Sequence, residues 1–237
     1  MNYRLALALL LGLALGHPLM AEDSATALAA KAQVFSSAPQ FTVSAQLVIL
    51  DGTGDRKTRG LSIWILREAK EERFLAQVTA PAFLKNLKYL QVKTKEGTGT
   101  WLKTSKGVQR LSDQAEPEPL FGSDFTTADF QPGSADWTWG PSNQDSVVLI
   151  RATPPRLGWS RQVLTLRKSD NLILQSDFLS QDDTLVRRYR VVEISANGIP
   201  RRVELENFKN HRSSLLEVQT FDPAAPIAPS LFLPGRL

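Results

Sequence analysis

The chain of 237 residues has no cysteine, and it has only two histidines, one of them, His17, within an apolar leader. Without thiols there is no disulfide framework, no cysteine nucleophile and no cysteine to carry a lipid anchor. A zinc centre built on His or Cys has almost no ligands, and a Ser-His-Asp triad would have to use His211. That histidine sits in "FKNHRSS", which has the composition of a charged turn between strands. The glycines and lysines of "GTGTWLKTSKG" lack the spacing of a phosphate-binding loop. Beyond the leader no apolar run approaches the length of a membrane-spanning helix. Charge of a single sign is also scarce: 28 basic against 24 acidic residues give a net +4. No cofactor and no metal follow from these residues. What remains is ordinary globular composition, 42% hydrophobic and 22% charged, which argues against disorder.

The start of the chain reads as an export signal. Arg4 supplies a short positive region, "LALALLLGLAL" from Leu5 to Leu15 an apolar core, and Ala21 a small residue for cleavage before Glu22. The expected organisation is a signal peptide over 1–21 and a single domain over 22–237, soluble and located in the periplasm. Alanine-rich "SATALAAKAQVFSSA", with Ser24 as a cap, predicts one helix. In "FTVSAQLVIL" the odd positions Phe41, Val43, Ala45, Leu47 and Ile49 are apolar while their neighbours are polar, a period of two that buries one face of a strand. Short segments of the same kind follow, "LSIWIL", "RFLAQVTAP", "LKYLQVK" and "TWLKT", then "SVVLIRA", "RQVLTLRK", "LILQSDFLS", "LVRRYRVVEI", "RRVELENF" and "SLLEVQTF". The fold expected is mainly β: about eleven antiparallel strands in one sheet curled into an open barrel, with an N-terminal helix.

Between the two runs of strands lies "LFGSDFTTADF". Gly122 permits a backbone conformation or close approach that other residues resist, Ser123 or Asp124 can cap a turn, and Phe121, Phe125 and Phe130 are apolar anchors. The segment reads either as a short helical lid over a binding cavity or as a cap on a packed core. Asp124 and Asp129 could form a carboxylate pair for glycoside hydrolysis, but capping and turn formation account for both, and the chain is not read as an enzyme. Basic "VRRYR" (186–190) and "PRR" (200–202) would be split between two faces of a strand, so a solvated outer face is the default; nucleic acid is not an expected partner of an exported protein. Anionic lipid headgroups or an acidic partner surface could use the same charges.

The order of these features, helix, strand meander, "TAP" at Thr79 to Pro81, a Trp101-Leu102 strand, "VQRL", then Phe121-Gly122-Ser123-Asp124-Phe125 with Asp129-Phe130, and "LFLPGRL" at the end, resembles the outer-membrane lipoprotein-sorting proteins of the LolA-like family. The resemblance implies an incomplete, strongly curved barrel, closed on one side by helices, around an apolar cavity for acyl chains. It departs from the family pattern at Lys103-Thr104-Ser105, where an aromatic and a proline are usual, and at Arg110, which stands alone in place of a paired arginine. Candidate cavity residues are Leu47, Ile49, Leu61, Ile63, Ile65, Phe74, Val78, Leu164 and Leu172, and the candidate lid is Phe121, Gly122, Ser123, Asp124, Phe125, Asp129 and Phe130. The function implied is a carrier or chaperone for a lipid or lipoprotein, monomeric, taking its cargo from an inner-membrane transporter and passing it to an outer-membrane acceptor. The alternative is a non-enzymatic accessory or sensor module of a membrane transporter that binds a protein instead.

Overall fold

A computed structural model describes residues 24–112, 119–126, 129, 136–153 and 158–237. The expected signal peptide, the cleavage site expected after Ala21, and Phe130 lie outside these residues. Helix α1 (Ala25–Ala30) is followed by strands β1 (Gln40–Leu50), β2 (Arg56–Glu68), β3 (Glu71–Ala80), β4 (Lys88–Thr94), β5 (Thr98–Thr104) and β6 (Gly107–Leu111). After the motif come β7 (Thr138–Trp139), β8 (Ser146–Ala152), β9 (Arg161–Arg167), β10 (Ile173–Leu179), β11 (Leu185–Ile194), β12 (Pro200–Asn207) and β13 (Arg212–Asp222). Ser24 caps the helix as expected, accepting from the Ala27 amide at 3.1 Å. The helix nevertheless stops after six residues, because the following Val34 and Phe35 are drawn into the core and the backbone of Gln33 bridges to Leu172.

The strands form one antiparallel sheet in the order β6-β5-β4-β3-β2-β1-β13-β12-β11-β10-β9-β8-β7. Its two halves are each a meander, and they meet where β1 pairs with β13. This corrects the expected architecture. Among the described residues there are thirteen strands rather than about eleven, the ladder runs linearly from β6 to β7, and no pairing joins those edges. The sheet is therefore neither closed into a barrel nor strongly curled like one. Strands β6 and β7 escaped the periodicity reading because one is five residues long with only Val108 and Leu111 apolar and most of its length exposed, and the other has two residues. Within the motif, the described residues show a 3-10 turn at Leu120–Gly122 and helical backbone at Asp129.

Alternation decides which face is buried. Register places Val43 opposite Ile63, Ala45 opposite Leu61 and Phe41 opposite Ile65, then Ile65 opposite Phe74 and Leu61 opposite Val78. On the other side Leu47 meets Leu216 and Leu216 meets Val203. These residues belong to one buried cluster that also takes in Leu149, Leu164, Leu166 and Tyr189. Cross-strand apolar pairs of this kind are the unit of sheet stability. On the opposite face, Leu66, Leu75 and Leu90 form a second cluster, covered by Ile227, Phe232 and Leu237 of the C-terminal segment. Lys103 Nζ donates to the main-chain oxygen of Leu237 and ties that segment to β5.

Candidate functional site

Residues 120–126 and Asp129 lie on the inner face. The Leu120 amide donates to the Phe125 carbonyl at 2.7 Å and the Ser123 amide to the Leu120 carbonyl at 3.0 Å. Ser123 Oγ donates back to the Leu120 carbonyl and accepts from the Phe125 amide. This tight loop requires left-handed backbone at two successive residues, Phe121 (φ 53) and Gly122 (φ 76). A bulky residue with positive φ is strained by about 1–3 kcal/mol, and the strain is held because Leu120, Phe121 and Phe125 are buried in the core cluster. Phe125 is 2% exposed.

A row of polar side chains on the same face receives the loop. Register aligns Gln162 with Phe178, Phe178 with Arg187, Arg187 with Asn207 and Asn207 with Arg212. Arg187 donates to the Asp124 carbonyl at 2.7 Å and to the Asp129 carboxylate, and its guanidinium stacks over Phe178 at 4.9 Å. Asp129 also accepts from the Thr126 amide at 2.6 Å and from the Thr126 hydroxyl at 3.0 Å. The Asp124 carboxylate accepts from Ser214 and Asn207 and lies 3.5 Å from Arg212, which itself donates to the Gly122 carbonyl at 2.8 Å. Both aspartates are therefore buried, with a cation beside each, as burial of a carboxylate demands. They face different partners and hold the loop rather than forming a pair poised for acid–base chemistry. Beside them Tyr189 is wholly buried, and burial, with the Asp129 charge, pushes its ionisation far above the usual tyrosine range.

Every candidate cavity residue is buried. Leu47, Leu61, Ile63 and Phe74 come together with Leu120, Phe121 and Phe125 around a void of only about 20 Å³. Ile49, Ile65, Val78 and Leu164 belong to the same cluster, whereas Leu172 does not. A larger open groove of about 290 Å³ lies alongside, lined by Arg59, Leu87, Tyr89, Leu102, Pro119, Leu120, Phe121 and Gly122. Leu120 and Phe121 thus line both spaces. Arg59, Arg187, Asn207, Arg212 and Ser214 were not marked by the sequence. The signal available for Arg187 was its parity with Tyr189 in "VRRYR", which puts both on the buried face; Arg188 and Arg190 point the other way and pair with Asp177 and Glu204. The solvated reading of that cluster thus holds for alternate residues and fails at Arg187. Among the described residues there is no group of three or more potential metal ligands.

The family model that matches, over residues 70–237, carries the description "Uncharacterized protein". The chain belongs to that family. Among solved structures, a domain from Vibrio parahaemolyticus named for outer membrane lipoprotein sorting superposes with a TM-score of 0.70 at 16% identity, over 86% of this chain and 92% of that one. A DUF1329 family protein from Desulfovibrio piger gives 0.69 at 20% identity, over 83% and 90%. A LolA superfamily protein from Nitrosomonas europaea gives 0.64 at 15% identity, over 90% and 99%. The fold is thus that of the LolA superfamily and of the lipoprotein-sorting domain. No curated protein matches the sequence.

Proposed function

We propose that this protein is a non-enzymatic periplasmic carrier or chaperone that holds acyl chains of a lipid or lipoprotein on the inner face of its sheet, for transfer towards the outer membrane. The observation that carries this reading is the groove of about 290 Å³ with a largely apolar lining, which shares Leu120 and Phe121 with the buried space beneath the motif. Its volume falls near the lower end of the roughly 300–1,000 Å³ usual for ligand pockets. Each methylene taken from water into such a site contributes about 0.8 kcal/mol. In this reading the loop Phe121–Phe125 is a lid: it occupies the inner face when no cargo is present, and an acyl chain entering the groove displaces Phe121 and then Phe125 from Leu61, Ile63 and Phe74. The fold shared with a domain named for lipoprotein sorting supports the assignment. Residues 1–21 would direct export, 22–237 would act as one monomeric domain, and an inner-membrane donor and outer-membrane acceptor would be its partners.

Mass spectrometry of protein extracted from native periplasm tests the proposal. Co-purifying acyl species in near-stoichiometric amount are expected; lipid-free protein that also fails to bind long-chain amphiphiles would overturn it. The second reading, a protein-binding accessory module, is favoured by β6, which among the described residues pairs only with β5 and exposes the acid-free edge Gly107–Arg110, a template for strand addition.

A further inference from the structure

Arg59 differs from the other arginines of the inner face. Arg187 and Arg212 hold the motif through carboxylate and carbonyl oxygens. Arg59 Nη1 is enclosed and, among the described residues, has no hydrogen-bond partner. Burial depresses its pKa, and among the described residues no acid contributes. Register fixes where it points: Arg59 stands opposite Leu47 and so shares the inner face, two residues before Leu61. Its guanidinium lies against Gly122, where a Cβ would come within 3.3 Å of Nη1. A glycine with φ +76 is what lets the cation sit against the loop backbone. Arg59 is thus a fixed charge in the wall of a groove otherwise built from Leu87, Tyr89, Leu102, Leu120 and Phe121.

A half-buried guanidinium with no counter-charge among the described residues is costly, and it is a ready bidentate site for a carboxylate or phosphate. We propose that the groove selects acidic amphiphiles: the anionic headgroup pairs with Arg59 while the chain runs along Leu87, Tyr89 and Leu102. This inference rests on the acyl-binding reading above and adds the class of ligand to it. A fatty-acid carboxylate and a lipid phosphate present the same chemistry to the guanidinium.

The test is displacement of an apolar fluorophore from the folded protein by palmitate, by palmitoyl lysophosphatidate, by neutral monopalmitoylglycerol and by inorganic phosphate. At least one of the two acids should displace at a concentration roughly tenfold lower than the neutral lipid, as a charge-assisted pair implies, and inorganic phosphate alone should not displace. Arg59→Gln should erase that advantage while leaving the neutral lipid unchanged, and Arg59→Lys should keep part of it; thermal melts confirm that both variants fold. Which acid is preferred identifies the headgroup. If the neutral lipid binds as tightly as the acids, if Arg59→Gln retains the preference, or if phosphate displaces by itself, the role of Arg59 falls while acyl binding stands. If no amphiphile binds, both readings fall.

Discussion

Tyr189 concentrates the electrostatic demands of the inner face in one residue. It lies between Leu205 and Ser176 in register, is wholly buried, and its hydroxyl has no hydrogen-bond partner among the described residues. Because burial and the Asp129 charge raise its ionisation, the native state keeps a proton that the unfolded chain releases near pH 10. The corresponding stability is fully present below about pH 10 and declines as pH rises beyond it, where the unfolded chain binds fewer protons. Tyr189→Phe removes a buried orphan hydroxyl, so it should be neutral or stabilising by up to about 1 kcal/mol at pH 7. It should also flatten the alkaline loss, which urea unfolding at pH 7 and at about pH 10.5 would measure. Tyr189 and Arg187 share one parity in β11, and a strict reading of the alternation would have placed both inside. Charge made Arg187 look like a surface residue, and only the partners supplied from a distant loop, Asp124 and Asp129, make its burial tolerable.

At the scale of elements, the motif is a loop that completes a sheet face. Phe125 is packed among Leu47, Leu61, Ile63 and Leu216 around a nearly filled space. Phe125→Ala should lower the stability of the lipid-free protein by about 3–5 kcal/mol, the usual cost of deleting a buried ring. If the loop gives way to cargo, the loss should be smaller with palmitate present, since an acyl chain would then occupy the space and ligand binding stabilises the native state. Melting Phe125→Ala and its parent with and without palmitate gives the answer; an equal loss in both conditions means that the loop only caps the core. Gly122 and Ser123 were legible as loop-forming residues, because local hydrogen bonding and left-handed backbone have local sequence signatures, and Phe121 and Phe125 were legible as apolar anchors. Their docking partners were not legible, because Arg59, Asn207, Arg212 and Ser214 are brought to the loop by strand register across two halves of the chain.

For the whole molecule, an open sheet has two faces to cover, and the part of the second face over β2 to β5 is covered by the chain's own C-terminal segment. Ile227, Phe232 and Leu237 bury Leu66, Leu75 and Leu90 and pack against Trp64 and Trp101. Removing residues 227–237 should therefore expose a contiguous apolar patch, lower the melting temperature and promote association. Dye binding and size-exclusion chromatography of the truncated chain would detect it; an unchanged, monodisperse protein would show that the segment contributes little. "LFLPGRL" thus has a packing role that its position at the end of the sequence did not disclose.

The sequence by itself determined that this is a β protein, where eleven of its strands run and which side chains of β1, β2 and β3 face inward, because a period of two is a local property of the backbone and survives without knowledge of neighbours. Only the tertiary structure decided how the strands are joined. Whether a sheet of this size closes, curls or stays open depends on twist accumulated over many pairings and on what covers its faces, and no window of sequence records that. The same reason separates the residues of the motif, readable from their spacing, from the arginines that hold it. Their meeting at one end of the inner face is produced by the register of β1 with β13, of β13 with β12 and of β12 with β11.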